Sequence, residues 1–283
     1  ARTWQFECID QNGYPVVRLT NLINIFFPVP NRFYQVRRDP LNGWLGHQFP
    51  VLKDDVLVWE LPNLSEEFCS QSGGIFLRIL SHIFLSFEER DAWKQLQANK
   101  RYQSQWLLGR ACIKEAVRFW ILQKTGQLLY PSDIYVRHDQ YGAPYVDGLW
   151  CNTLIQPPEV SLSHNNCASL VAVSESQCPV GIDIEEVSKI RNNDLMIETL
   201  TASEEAFVRG LDNSALNDKL LRFWCAKEAA SKFLGLGLQG KPTAFEVSFI
   251  DTNCENACVT YSEIKIDVVV TRKDNSIIAL ASS

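Results

Sequence analysis

The 283-residue sequence predicts an α+β fold of two similar lobes, each an antiparallel sheet packed with a long helix. Three observations carry this. The pattern C-x-K-E-A occurs twice, as Cys112-Ile113-Lys114-Glu115-Ala116 and as Cys225-Ala226-Lys227-Glu228-Ala229, each in a stretch of helical periodicity that follows a strand by several tens of residues. The segments EVSLSH, SLVAVSES and VGIDIEE succeed one another as an antiparallel meander buried on one face. The tail from Ala244 gives further alternating strands, AFEVSFI, ACVTYSE and IKIDVVVT. The chain then divides into an N-terminal extension (1–55), a first lobe (56–150) and a second lobe (151–283).

Taken in order, WQFECIDQNGYPVVRL gives two short alternating segments joined by Asn12-Gly13, a hairpin turn. The stretch FFPVPNRFYQVRRDPLNGW has few helix-forming features and reads as an irregular connector. VLVWELP is a strand, Asn63 to Ser72 a polar loop, and Gly74 to Phe84 an apolar run that fits strand or helix. Ser86-Phe87-Glu88-Glu89 resembles a capping signal and opens a helix to about Lys100; the helical pattern resumes through RYQSQWLLGRACIKEAVRFWILQ and ends near Gly126. IYVRH is a strand, and Gln140 to Pro144 a tight turn. Leu195 to Gly210 is helical, and Leu220 to Leu238 is an amphipathic helix stopped by Gly235 and Gly237.

Composition narrows the function. A chain 46% hydrophobic and 21% charged is ordinary for a soluble globular protein, and a net charge of -6 argues against nucleic acid as partner. The nine cysteines are scattered, without a second close pair at zinc-ligand spacing, and read as reduced thiols. Without a signal peptide or an apolar run of membrane-spanning length, the expected location is the cytoplasm. A start at Ala1 suggests a piece of a longer protein.

Chemistry concentrates in two segments. On the strand VGIDIEE, Ile182 and Ile184 point one way while Asp183 and Glu185 point the other. On the last long helix Trp224, Glu228 and Lys232 recur every fourth residue and share a face. A lone D-x-E is most often a solvated strand face, and Glu228 with Lys232 most often a surface pair. The bulky Trp224 on the same face suggests a partly buried cleft instead. If Glu228 faces the strand carboxylates, the three make an oxygen-only site suited to Mg²⁺, with Lys232 one turn on where a phosphate needs neutralising. The first lobe has VLVWE where the second has GIDIE, which predicts one site per chain, near the lobe interface. His164, at the end of Ser161-Leu162-Ser163-His164, is either structural or a phosphate donor; Arg101, Arg110 and Lys114 lie along the first-lobe helix as a solvated face or as anion ligands.

GIDIE followed by W-C-A-K-E-A-A-S-K is similar to the paired signature of 4′-phosphopantetheinyl transferases of the large pseudo-dimeric class, typified by the activator of surfactin synthetase. Gly109-Arg110…Lys114, the Tyr141 to Pro144 turn, the S-x-S-H strand and the G-L-x-L tail after Lys232 extend the resemblance from about Val56 to the C-terminus. It implies transfer of the phosphopantetheine arm of coenzyme A to a serine of an acyl or peptidyl carrier protein, with release of adenosine 3′,5′-bisphosphate. By the same resemblance Asp183, Glu185 and Glu228 hold Mg²⁺, Lys232 meets the pyrophosphate, His164 a CoA phosphate, and Arg101 the 3′-phosphate. Arg110 and Lys114 fall in the family's basic element and join the CoA contacts; Glu228, Lys232 and His164 carry the catalysis. Ala143 departs from the pattern, since many members have lysine there; Arg137 is a candidate to compensate. Residues 1–55 lie outside the resemblance and look like the final strands and linker of a polyketide-synthase dehydratase-type domain. The expected partner is an acyl carrier protein, of its own synthase in that case, and the expected state is a monomer with internal pseudo-two-fold symmetry. Two other readings compete: a Mg²⁺-dependent phosphodiesterase or nuclease, and an inactive transferase-like docking module of a megasynthase.

Overall fold

The computed structural model describes residues 2–24, 29–187, 196–251 and 253–283. The chain opens with an antiparallel hairpin of β1 (Arg2–Ile9) and β2 (Pro15–Asn24), whose turn is closed by Asp10, its carboxylate accepting from the amides of Asn12 and Tyr14. The region read as an irregular connector instead contains a helix, α1 (Asn31–Arg38), and its Phe33 and Val36 enter the first core.

Four strands form the first main sheet in the order β3-β4-β8-β7, from β3 (His47–Gln48), β4 (Leu57–Pro62), β7 (Glu159–His164) and β8 (Ala168–Ser174). Against it lies α4 (Lys100–Thr125), which starts at Asn99, whose side chain accepts from the Tyr102 amide, and stops at Gly126 with φ 72°. The segment between β4 and α4 is helical. It comprises α2 (Glu66–Phe84) and α3 (Phe87–Gln95), the latter opened by a Ser86–Glu89 capping box. The polar loop expected at Asn63 to Ser72 is therefore mostly helix. Ser65 caps it by accepting from the Phe68 amide, and burial of Phe68, Leu77, Leu80 and Phe84 outweighs the low helix propensity of its serines and glycines. A two-stranded ribbon, β5 (Tyr135–His138) with β6 (Pro144–Asp147), follows.

The second main sheet runs β10-β11-β12-β13-β9, from β9 (Val180–Glu186), β10 (Phe245–Phe249), β11 (Asn256–Tyr261), β12 (Ile264–Lys273) and β13 (Ser276–Ser282). Two helices accompany it: α5 (Ala202–Val208), opened by a Thr201–Glu204 capping box, and α6 (Asn213–Phe233), which packs on β9 and β13. The helix expected from Leu195 to Gly210 is thus interrupted: Met196 and Ile197 are helical, a turn follows at Glu198 and Thr199, and helix resumes in the short α5, while Leu195 lies outside the described residues.

The expected three-strand meander is not formed. β7 pairs with β8, β8 with β4, and β9 pairs with β13 in the other sheet. Sheet membership therefore changes between β8 and β9, with residues 159–174 belonging beside β4. The reason is apolar surface on both faces: every residue of β8 is buried, so it needs a layer on each side. Val58, Leu170 and Ala172 meet Ile182, Ile184, Ile278 and Leu280 to form the layer between the two sheets. No helix among the described residues is long and apolar enough to cross a membrane.

The two C-x-K-E-A helices repeat one set of contacts. Lys114 is paired with Glu89, whose other oxygen accepts from the Val136 amide; Lys227 is paired with Glu204, whose other oxygen accepts from the Val247 amide. The Cys112 thiol donates to the Ser169 carbonyl and the Cys225 thiol to the Ile277 carbonyl. Two residues beyond those carbonyls, Val171 pairs with Trp59 and Ala279 with Asp183. Trp59, rather than Val58, therefore occupies the position of Asp183. This shifts by one residue the sequence alignment of VLVWE with GIDIE.

Candidate active site

The face of α6 that remains accessible is the stripe read from the sequence. Between Leu220 and Ser231 every residue is buried except Trp224 and Glu228, and Lys232 continues the half-buried line. Beneath this stripe runs β9. Gly181 makes the approach possible, since a Cβ there would lie 2.0 Å from the Ala229 carbonyl oxygen and 2.6 Å from the Phe233 nitrogen. With the helix this close, Lys232 reaches the strand. Its Nζ donates to the Ile182 carbonyl at 3.0 Å and to Asp183 Oδ1 at 2.7 Å.

Asp183 is 4% exposed. Its Oδ1 also accepts from Ser163 Oγ at 2.8 Å, whereas Oδ2 is buried with no hydrogen-bond partner. A buried carboxylate oxygen left without a donor is costly unless a cation meets it. Glu185 stands two residues on from Asp183 along the strand, and Glu228 faces both. Burial raises the Glu228 pKa above its ordinary value, and the negative charge of Asp183 raises it further; Lys232 opposes the shift and Glu185 adds to it. Three carboxylates and one ammonium thus share one electrostatic neighbourhood. The donor set, all oxygen and all anionic, together with the unpartnered Oδ2, fits a hard divalent cation. Among the described residues no group of three or more His, Cys, Asp or Glu side chains is yet drawn together closely enough to hold a metal; the Lys232 ammonium supplies the positive charge on Asp183.

The other expected residues separate into two groups. Arg101, in the first turn of α4, donates to Asn166 Oδ1 at 2.9 Å, and Asn166 donates to Glu186 Oε2 at 3.4 Å; this ties Arg101 to the end of β9. His164 is exposed at the end of β7, next to Ser163, and strand alternation turns it to the other side. Arg101 and His164 therefore lie at the ends of elements beside the site, Arg101 tied to the end of β9 and His164 exposed at the end of β7.

Arg110 and Lys114 are not brought there. Lys114 is fully buried and paired with Glu89 at 2.5 Å, and burial lowers its pKa to about 8. The Arg110 guanidinium lies 3.8 Å from the centre of the Trp106 ring and 3.9 Å from Glu89, with burial lowering its pKa too. In both, the helical periodicity that suggested a solvated or ligand-binding face is overridden by α3, whose Glu89 covers that side. Lys227, the equivalent lysine of the second C-x-K-E-A helix, is likewise buried against Glu204 at 2.6 Å. Ala143 lies in the β5–β6 turn, its amide donating to Asp139, and Arg137 is paired with Asp147 in the same ribbon. Sequence reasoning missed Ser163, Asn166 and Glu204 as supports; the one available signal was that Ser161 and Ser163 alternate onto the same face.

Comparisons with known proteins find likenesses over this part of the chain. Residues 179–281, from the approach to β9 through β13, match the family model of the 4′-phosphopantetheinyl transferase superfamily. Among solved structures, the chain is similar to a holo-(acyl-carrier-protein) synthase from Bacillus anthracis in complex with CoA (3′,5′-ADP), at 25% identity and a TM-score of 0.31, covering 37% of this chain and 93% of that one. It is also similar to the Helicobacter pylori holo-[acyl-carrier-protein] synthase in complex with coenzyme A, at 20% identity and a TM-score of 0.31, covering 37% of this chain and 99% of that one. No curated protein matches the chain.

Proposed function

We propose that the chain transfers the 4′-phosphopantetheine arm of coenzyme A to a serine of a carrier protein. The observation that carries this reading is the convergence of Asp183, Glu185, Glu228 and Lys232 inside the segment that matches the transferase superfamily model. Asp183, Glu185 and Glu228 would hold Mg²⁺, which when bound offsets charge on the pyrophosphate. Lys232 gives up part of its pairing with Asp183 to meet a phosphate oxygen. Arg101 and His164, beside the site, take the outer phosphates. Glu228, directly or through a water it holds, accepts the serine proton, a role suited to a carboxyl whose pKa is raised. The bond from the serine oxygen to the β-phosphorus forms as the bond from that phosphorus to the bridging oxygen breaks, and the electron pair leaves with adenosine 3′,5′-bisphosphate. Positioning and electrostatics supply most of the acceleration.

In this reading the two sheet-and-helix halves are a pseudo-dimer within one monomeric chain, divided as 56–150 and 151–283 in the sequence, with β7 and β8 of the second segment completing the first sheet. The β1–β2 hairpin would be the end of a dehydratase-like region of a polyketide synthase, whose own carrier domain is the natural substrate, whereas α1 and β3 of the 1–55 segment pack with the first sheet and its core.

The test is the intact mass of apo carrier protein after incubation with this chain, coenzyme A and Mg²⁺. A gain of one phosphopantetheine group, lost on chelation, is the expected result. No gain with any of several carriers would overturn the reading.

A further inference from the structure

The two sheets meet along a seam where β7 faces β9 without a backbone ladder; among the described residues β9 has a ladder partner on one side only, β13. Two buried hydroxyls take the ladder's place. Ser161 Oγ accepts from the Ile182 amide at 3.1 Å, and Ser163 Oγ accepts from the Ile184 amide at 3.3 Å. They differ in one respect: only Ser163 has its own proton committed to Asp183 Oδ1, at 2.8 Å.

That extra bond decides how Asp183 is presented. Oδ1 receives two donors, Ser163 and Lys232, and Oδ2 receives none. A half-turn about the last side-chain torsion would exchange the two oxygens, and a lysine with 27% of its side chain exposed is a mobile anchor by itself. Ser163 is rigidly held, being buried on a strand with its hydroxyl fixed by the Ile184 amide. We infer that Ser163 is a positioning residue: it locks the Asp183 carboxylate so that Oδ2 alone faces the cation, and it couples the metal site to the seam between the sheets. This rests on the transferase reading and its divalent cation.

The two serines supply their own control. In the full chain, Ser161→Ala removes a seam bond without touching Asp183, whereas Ser163→Ala removes both. Mn²⁺ affinity, followed by water-proton relaxation without substrates, is the primary readout; transfer kinetics and thermal stability accompany it. Ser163→Ala is expected to weaken Mn²⁺ binding at least about tenfold and to lower kcat by a similar factor. Ser161→Ala should lower thermal stability comparably and leave the Mn²⁺ affinity within about twofold, outside the range of such supporting effects. Ser163→Thr, which keeps the hydroxyl, should restore most of the affinity. Equal Mn²⁺ affinities in the two alanine variants, or no recovery with threonine, would overturn the positioning role while leaving the transferase reading intact. A wild-type chain that takes up no Mn²⁺ and transfers no phosphopantetheine would remove both.

Discussion

Glu115 and Glu228 occupy the same place in the repeated C-x-K-E-A pattern, yet one is sealed and the other half-open. Glu115 is fully buried and accepts from the Leu45 amide at 2.6 Å, the Gly46 amide at 2.7 Å and the Trp59 indole at 3.1 Å. Glu228 has no such lid; across from it stand Asp183, where the first half has Trp59, and Gly181, where the first half has Leu57. One scaffold therefore holds its glutamate in two ways. In the first half the chain's own donors satisfy the charge, and the group becomes a strut that ties residues 45–46 to α4. In the second, further carboxylates are added, and one oxygen of Asp183 is buried without a donor among the described residues, leaving a demand for positive charge. A buried anion becomes structural or functional according to what is placed opposite it.

This contrast can be broken most sharply at the carboxylates. Asp183→Ala or Glu228→Gln should cut carrier modification by at least about a hundredfold, judged by intact mass, while circular dichroism stays native. Near-wild-type rates in either variant would sink the assignment. Glu115→Ala should do the reverse: about 3 kcal/mol or more of stability lost in urea, because three buried donors are orphaned, with the rate per folded molecule unchanged. Gly181→Ala addresses the spacing between α6 and β9. Overpacking of about 1–3 kcal/mol is expected, with Lys232 drawn off Asp183 and activity falling with it. An active, fully stable Gly181→Ala protein would show that the close approach is dispensable.

The buried lysines give a smaller and pH-dependent effect. Lys114 titrates at about 8 in the folded chain, against 10.5 ordinarily. Between those values the unfolded chain holds a proton that the folded chain does not, so this group makes stability rise with pH across that window; below it, both states are protonated and the slope vanishes. Lys114→Met should remove that rise, and urea titrations from pH 7.5 to 10 will detect it as a widening gap between wild type and variant. A gap that stays constant with pH would mean that Lys114 keeps its ordinary pKa.

The parts of the site fixed by local periodicity were legible in the sequence. Spacing by four placed Trp224, Glu228 and Lys232 on one helical face, and alternation placed Asp183 and Glu185 on one side of β9. Partnership across the fold was not. The strand β13 is buried at every residue, so Ser276–Ser282 shows no alternation to separate it from any other apolar run. Nor does a local pattern say which sheet β9 joins; that depends on an apolar layer contributed by Val58 and Ile278 from opposite ends of the chain. The fate of Lys114 was hidden for the same reason. A lysine on a helix looks solvated until another helix brings Glu89 over it.

The pairing of β9 with β13 also sets an order of assembly. Asp183 sits opposite Ala279, and Val180 opposite Ser282, so the strand bearing Asp183 gains its ladder only when residues 276–282 arrive, nearly a hundred positions later. The first sheet, by contrast, is complete in sequence once β8 has been made. On a ribosome the sealed half can close while the reactive half is still unfinished. The candidate site is then finished only when the domain is, and a chain cut short before Ser276 would carry every candidate catalytic residue yet lack the strand that aligns Asp183.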